Sequence, residues 1–126
     1  MKRLAFIILI LICIPVLAGQ YEDALRTGNP VCLYVYTKTC RYCKQTNPVF
    51  EKMFQNHRKV CNFVRVDAES PYGSLLVRDL RINYVPFIVF ADSKGQYFVP
   101  ISPTCALDYT CFEKVLKNVF IPPINS

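Results

Sequence analysis

Two cysteines with two residues between them, Cys40 and Cys43, are the residues of this 126-residue chain whose type and spacing best suit chemistry. Such a pair can be half of a zinc site, an inert disulfide or a working redox pair. Zinc needs a second pair of ligands at suitable spacing, and neither Cys105 with Cys111 nor the single histidine, His57, offers one. An inert disulfide is disfavoured because a bond at a helix start is easily reduced. We therefore expect a redox pair and no metal.

The two sulfurs of the pair are predicted to have different tasks. Cys40 should stand at the N-terminus of a helix, where free backbone N–H groups and the helix dipole favour a negative charge. Its thiolate, the nucleophilic form, is thereby stabilised, and the positive charge of Arg41 is predicted to lower the pKa of Cys40 further. Cys43, nearly one turn into the helix, should be more buried and act as the resolving thiol, which attacks the mixed disulfide formed at Cys40.

The segments around the pair alternate between strand and helix patterns. The predicted order is helix 21–27, strand 31–37, helix 41–57, strand 60–68, helix 72–80, strand 87–92, strand 96–101 and a last helix capped by Asp108. The strand before the pair, VCLYVYT, is apolar on both faces, which is typical of a strand in the middle of a sheet. The order β-α-β followed by β-β-α predicts a single α/β domain over residues 19–126.

Each of the three longer helical segments carries apolar residues at helical spacing. In the helix after the pair they are Val49, Phe50, Met53 and Phe54. In the segment over residues 72–80 they are Leu75, Leu76 and Leu80. In the last helix they are Phe112, Val115, Leu116, Val119 and Phe120. We expect each helix to pack this face against the sheet.

The first eighteen residues are typical of a secretory signal peptide. Lys2 and Arg3 precede an apolar run, and the tripeptide VLA at residues 16–18 has the small residues of a cleavage site. The alternative is an uncleaved membrane anchor. It is disfavoured because the apolar run is shorter than the ~20 residues that a membrane-spanning helix needs. Cleavage would lower the formal net charge from +6 by two and remove Cys13 from the seven cysteines.

The charge and cysteine content of the processed chain indicate its binding partners and the compartment in which it acts. The basic residues are scattered from Arg26 to Lys117 with no cluster of five or more, so a nucleic-acid surface is not expected. An even number of cysteines would remain, and disulfides persist in exported proteins. We therefore expect a periplasmic or secreted protein.

Three features beyond the pair resemble the thioredoxin superfamily. Pro48 falls where the family kinks the helix after its cysteines, Asp67 ends the second strand as in the family, and Val85-Pro86 opens the third strand where the family keeps a cis-proline. The lead-in before the pair looks like that of small exported thioredoxin-like proteins. The resemblance implies the thioredoxin fold, an α/β domain with a four-stranded mixed sheet flanked by helices.

The resemblance also implies a place for substrate. A cis Pro86 would leave the backbone of Val85 free to bond an extended substrate chain beside Cys40. Tyr42 and Tyr84 are expected to flank the cysteines as an apolar rim for unfolded or peptide substrates. The alternative is that Tyr42 and Tyr84 have no role in substrate binding, because tyrosines are common in this chain and two could lie near the cysteines by chance.

The sequence departs from thioredoxins proper at three positions. The family has a tryptophan before the first cysteine, a buried aspartate on the first strand and a lysine that faces it from the next strand. Thr39, Tyr34 and Phe63 stand at these positions. The usual buried proton acceptor is therefore missing, and the proton of Cys43 must leave by another route.

The other four cysteines are predicted to lie close together in two pairs. Because Tyr34 and Phe63 replace facing residues of the family, Cys32 and Cys61, two positions earlier, are expected opposite each other on neighbouring parallel strands, as a disulfide or as two buried thiols. The remaining structural pair brackets the start of the last helix and is expected to be bonded across its first turn. These residues are Cys105 and Cys111.

The function predicted from these features is thiol–disulfide exchange with exported proteins, with no cofactor beyond the chain's own cysteines. The partners implied by the resemblance are cysteine-bearing exported proteins and a redox donor or acceptor, membrane-bound or soluble, that resets the pair. Reduction or isomerisation of disulfides is favoured over oxidation. The alternatives are a disulfide oxidase, a non-catalytic peptide-binding module and a membrane-tethered structural subunit.

Overall fold

The computed structural model of the chain describes residues 19–92, 94 and 98–120. Its helices are α1 (Gln20–Arg26), α2 (Arg41–His57), α3 (Pro71–Asp79), α4 (Pro103–Ala106) and α5 (Tyr109–Phe120). Its strands are β1 (Val31–Tyr36), β2 (Asn62–Asp67), β3 (Phe87–Ala91) and β4 (Phe98–Ile101). The predicted signal peptide, most of the predicted turn at 93–95 and the first two residues of the predicted fourth strand lie outside the described residues. Within those residues, no helix has the length and apolar character needed to cross a membrane.

Within the described residues the strands form one mixed sheet in the order β2-β1-β3-β4. β1 is parallel to β2, to which α2 connects it, and antiparallel to β3, and β4 is antiparallel to β3. The first core cluster places α2, α4 and α5 on one face of the sheet, and the second places α1 and α3 on the other. The predicted four-stranded mixed sheet flanked by helices is confirmed.

β1 is the strand that delivers the cysteine pair. All five residues from Val31 to Val35 are 0% exposed, so the predicted burial on both faces is confirmed. Alternate side chains of this strand pack in the two core clusters on opposite faces of the sheet, so β1 lies between the two layers of helices. Because α2 begins shortly after β1 ends, Cys40 emerges at the C-terminal edge of β1.

The helices follow the predicted order with small shifts at their ends. α2 spans the predicted residues, whereas the prediction that Leu75 belongs to the buried stripe of α3 is wrong. Leu76 is 4% exposed and Leu75 is 49% exposed. Neighbouring residues of a helix point about 100° apart, so only one of the two can face the core squarely. In α5, Phe112 and Leu116 are buried as expected, and the side chain of Phe120 lies outside the description.

The short helix α4 was not among the predicted elements. The Ser102 hydroxyl caps it by accepting a hydrogen bond from the Cys105 N–H at 3.2 Å. The predicted cap of the last helix is present, because the Asp108 carboxylate accepts from the N–H groups of Thr110 and Cys111 at 3.0 and 3.4 Å. A four-residue helix has too little periodicity to be visible in a hydrophobic pattern.

The predicted register between the first two strands is wrong by two residues. Cys32 lies opposite Phe63, not Cys61, and Tyr34 lies opposite Arg65, not Phe63. Both cysteines nevertheless belong to the same core cluster on one face of the sheet, so they are diagonal neighbours rather than direct partners.

The register differs because Cys61 still belongs to the turn that ends α2. Its backbone N–H donates to the carbonyl of His57 at 3.2 Å. The ladder begins one residue later, where the Asn62 N–H donates to the carbonyl of Pro30 at 2.8 Å. The backbone group of Cys61 is therefore used by the helix terminus and is not available to the sheet.

Candidate active site

Cys40 is the residue that joins the end of β1 to the start of α2. Its backbone N–H closes a turn by donating to the Thr37 carbonyl at 3.3 Å. It is the N-cap of α2, and its sulfur accepts a hydrogen bond from the Cys43 N–H at 3.1 Å. The two cysteines are joined by a disulfide, with their Cα atoms 5.2 Å apart. A sulfur thus occupies the position where a serine or aspartate oxygen commonly caps a helix.

The two sulfurs of the disulfide differ in exposure. Cys40 is half-buried, whereas Cys43 is 1% exposed and packs among the core residues under α2. On reduction, a thiolate at Cys40 would keep the Cys43 N–H as a donor and would face the positive end of the helix. This arrangement suits an attacking sulfur at Cys40 with a second sulfur held behind it.

Arg41 is the first residue of α2 and is exposed. The first turn of α2 contains no acidic residue, so nothing in that turn offsets its charge. Its guanidinium is in solvent, where dissolved ions screen its effect on a neighbouring sulfur. A role for Arg41 in the pKa of Cys40 therefore stays a prediction.

Tyr34 and Asn47 form a polar contact beneath the pair that the sequence interpretation missed. The Tyr34 hydroxyl lies 3.1 Å from the carbonyl oxygen of Cys43 and 2.7 Å from the side-chain oxygen of Asn47. Tyr34 is 0% exposed, so its hydroxyl has no water to bond. A tyrosine within an otherwise apolar central strand is the signal that could have revealed this contact, because a buried hydroxyl needs a partner.

Tyr34 does not replace the buried aspartate of the family as a proton acceptor for Cys43. Burial, partly offset by the charge of Arg65, raises the pKa of Tyr34 to about 12. The phenol therefore keeps its proton at neutral pH and can donate a hydrogen bond but cannot accept the proton of Cys43. We infer that its contribution is to hold the first turn of α2 against β1.

We predict that Tyr34→Phe loosens that first turn. The Cys43 carbonyl loses a donor, so the free energy of unfolding should fall by about 1 kcal/mol. The Cys43 N–H should point less well at Cys40, so the pKa of the Cys40 thiol should rise. Thiolate absorbance against pH and urea unfolding measure the two effects.

Tyr36→Phe is the matched control. Tyr36 lies two residues along the same strand and is half-buried, and its hydroxyl donates to none of the described residues. This substitution should leave the pKa of Cys40 unchanged. An unchanged pKa in Tyr34→Phe as well would show that the phenol does not position the pair.

The chain segment before β3 reaches the same edge of the sheet as the pair. Val35, near the end of β1, lies opposite Phe87, the first residue of the antiparallel β3. Pro86, directly before Phe87, is therefore beside the end of β1, from which Cys40 follows. The Val85–Pro86 peptide bond is cis, Pro86 is buried and Val85 is half-buried.

Two tyrosines are exposed on the segments that bracket this edge. Tyr42 is 59% exposed in the first turn of α2. Tyr84 is 44% exposed, and its ring meets the ring of Phe87 edge to face, with centroids 5.6 Å apart. Exposed aromatic surface therefore lies in the first turn of α2 and, separately, in a groove that Tyr84 lines with Val89 and Phe98.

The other four described cysteines are not bonded to the pair. Cys32, near the start of β1, and Cys61 are free thiols, and burial raises the pKa of Cys32 well above its usual value and that of Cys61 to about 12. Cys105 and Cys111 are joined by a disulfide that links α4 to α5, with their Cα atoms 5.3 Å apart. Buried neutral thiols are poor nucleophiles, so Cys32 and Cys61 are not expected to take part in the chemistry of the pair.

His57, for which no catalytic role was predicted, is the last residue of α2 and lies at the end opposite the pair. Its ring nitrogen is 2.8 Å from the Glu113 carboxylate of α5, a contact that lowers the pKa of Glu113. The Tyr109 hydroxyl donates to the same carboxylate at 2.9 Å. This cluster ties α2 to α5. Among the described residues, no three histidine, cysteine or acidic side chains are grouped so that they could hold a metal.

Sequence relatives resemble the central part of the chain. The chloroplast thioredoxin-like protein HCF164 from rice (Oryza sativa subsp. japonica) is 26% identical over 79 residues, and HCF164 from Arabidopsis thaliana is 25% identical over 79 residues. Each match covers 63% of this chain and only 30% of the relative. The chain thus matches less than a third of the length of these relatives.

Solved thioredoxins share the fold. The thioredoxin of Thermus thermophilus has a TM-score of 0.63 at 24% identity, covering 79% of this chain and 82% of that protein. The thioredoxin of Fasciola hepatica has a TM-score of 0.65 at 15% identity, covering 78% of this chain and 89% of that protein. The family model for thioredoxin matches residues 13–104, which include the cysteine pair and the cis-proline. The chain belongs to the thioredoxin family.

Proposed function

We propose that this protein is a thiol–disulfide oxidoreductase that acts on disulfides of exported proteins through Cys40 and Cys43. The observation that carries the proposal is the half-exposed Cys40 sulfur, which caps α2 and accepts the Cys43 N–H, with the buried Cys43 sulfur bonded behind it. The fold and family membership add support, since the thioredoxin family model covers the residues that contain the pair.

The reaction proceeds in two exchanges. In the reducing direction the Cys40 thiolate attacks one sulfur of a substrate disulfide, the substrate S–S bond breaks, and the departing thiolate takes a proton from solvent. Cys43 then loses its proton and attacks the Cys40 sulfur, which releases the second substrate thiolate and forms the Cys40–Cys43 disulfide. The substrate gains two electrons and two protons. A dithiol redox partner must reduce the pair again, and we propose a membrane-bound or soluble donor protein for this step.

An extended substrate is expected to lie between the pair and the Val85–Pro86 segment. Pro86 offers no N–H of its own, so a substrate backbone at this place would bond to Val85. Tyr42 and Tyr84 would cover its apolar side chains. Tyr42 is exposed in the first turn of α2, which supports its assignment. The Tyr84 ring packs against Phe87 in a groove that Val89 and Phe98 also line, so its role at the pair rests on the resemblance alone.

Direct turnover of a neutral disulfide tests the activity. The protein, reduced with dithiothreitol, should reduce an uncharged dialkyl disulfide stoichiometrically, and Cys40→Ser should not. Thiol release is measured with a chromogenic disulfide reagent after the protein is removed. An inert wild-type protein would favour the alternative function, a peptide-binding module whose disulfide is only structural.

The redox potential of the pair decides the direction of the reaction. We expect a reductase or isomerase, with a potential nearer to about −270 mV than to about −120 mV, the value of a strong oxidase. Equilibration in a glutathione buffer followed by thiol trapping measures it. If Arg41 stabilises the Cys40 thiolate, then Arg41→Glu should lower the potential by roughly 30 mV for each 1.4 kcal/mol of stabilisation lost. A potential near the upper value would instead make the protein a disulfide oxidase.

We propose that residues 1–18 direct export and are removed, so that the mature chain acts in the periplasm or outside the cell. The pattern of charge, apolar run and small residues supports this. Intact-mass measurement of exported protein should show a chain beginning at Gly19. A mass that includes Met1 would favour the membrane-tethered alternative.

A further inference from the structure

Three exposed cations lie within four residues of Cys40 along the chain, and we name them the cationic rim. They are Lys38, Arg41 and Lys44. The sequence from residue 24 to residue 50 contains no acidic residue. None of the three is ion-paired with a side chain in the part of the chain that the structure describes. The charge of the rim is therefore available to a bound molecule.

The backbone fixes the rim around the sulfur. The 3.3 Å hydrogen bond from the Cys40 N–H to the Thr37 carbonyl closes a turn with Lys38 at its tip. The Lys44 N–H donates to the Cys40 carbonyl at 3.3 Å, so Lys44 stands one helical turn above Cys40 on the same face of α2. Arg41 lies between them at the first helical position, where the helix dipole adds to the positive potential.

Two of the acidic side chains near this edge of the sheet lie on the side away from the substrate. Asp67 and Glu69 follow β2, whereas Pro86 precedes β3, and β2 and β3 flank β1 on opposite sides. In the segment that leads to Pro86, Asp79 is paired with Arg78 at 3.5 Å. An extended chain between Cys40 and Pro86 would therefore meet the rim rather than a carboxylate.

We propose that the site selects acidic substrates, namely peptide segments in which the disulfide-bonded cysteine is flanked by aspartate or glutamate. This inference rests on the proposed function and names the substrate class of the same site. A positive rim raises the rate at which a negative chain reaches the sulfur, by tenfold or more at low ionic strength. Salt weakens the attraction because the rim is exposed.

The test uses three cyclic peptides, each with one disulfide, that differ only in the residues beside one cysteine: glutamate, glutamine or lysine. We measure the second-order rate constant for their reduction by the dithiothreitol-reduced protein, freed of excess reductant. At low ionic strength the glutamate peptide should react about tenfold faster than the glutamine peptide, and the lysine peptide slower still. In 1 M salt the three rates should converge.

Two double variants test whether Lys38 and Lys44 cause the preference for the glutamate peptide. Lys38→Gln with Lys44→Gln should remove most of the preference for glutamate, measured as the ratio of the rate constants for the glutamate and glutamine peptides. Lys59→Gln with Lys114→Gln removes the same charge from exposed residues beyond α2 and in α5, and should keep the preference.

The outcomes separate this inference from the proposed function. No reaction with any of the three peptides would overturn both. Equal rates for the three peptides would overturn only the selection of acidic substrates. A preference that survives the Lys38 and Lys44 substitutions, or that is lost equally in the control variant, would also overturn it.

Discussion

Protein carrying Cys43→Ser should accumulate mixed disulfides with partner proteins in cells, whereas protein carrying Cys40→Ser should trap almost none. The half-exposed Cys40 sulfur can attack a substrate, but without the sulfur of Cys43 nothing resolves the adduct. In the converse variant, the remaining sulfur at position 43 is 1% exposed and cannot reach a folded partner. Acid quenching, alkylation and non-reducing gels, followed by mass spectrometry of the trapped bands, measure the difference.

Few mixed disulfides should form at cysteines other than Cys40 and Cys43 in this experiment. Cys32 and Cys61 are buried, and burial raises the pKa of both thiols, so they should not form adducts in the folded protein. A variant with serine at both positions 40 and 43 is the control and should trap nothing. Equal trapping by the two single variants would contradict the assignment of attacking and resolving sulfurs.

Gly73→Ala should destabilise the protein more than most single substitutions outside the pair. Gly73 is buried in the first turn of α3, and a Cβ atom there would collide with the backbone carbonyl of Asp67. The Ser70 hydroxyl holds the two segments together, because it donates to the Asp67 carbonyl at 2.7 Å and accepts from the Gly73 N–H at 2.9 Å. Since backbone cannot move aside as a side chain can, we expect a loss of about 3 kcal/mol.

Gly28→Ala is the matched control for this prediction. Gly28 has a φ of +82°, but nothing lies within 4 Å of the position its Cβ would take. Its substitution should therefore cost only the backbone strain of about 1 kcal/mol. Urea unfolding of the oxidised proteins compares the two. If Gly73→Ala proved no more destabilising than Gly28→Ala, the close contact between α3 and the end of β2 would be refuted.

Local patterns in the sequence were enough to predict most of the strands and helices. The apolar run of β1 and the helical spacing of Phe50 and Met53 in α2 report burial directly, because each element must hide its apolar face. The position of Cys40 at the start of α2 also follows from a short stretch of chain. These signals suffice for the redox pair and for the order of the strands and helices other than the short helix α4.

Which residues face each other across different segments could be learned from the folded chain alone. The offset of Cys32 from Cys61 depends on where the turn after α2 ends, and periodicity is blind to a shift of two residues because it keeps every side chain on the same face. The bond between the Tyr34 hydroxyl and the Cys43 carbonyl likewise joins groups nine residues apart. Sequence patterns indicate which residues are buried, but the packing of the whole chain sets the contacts among them. Once water is excluded from the core, the Tyr34 hydroxyl must bond to whichever group that packing places beside it.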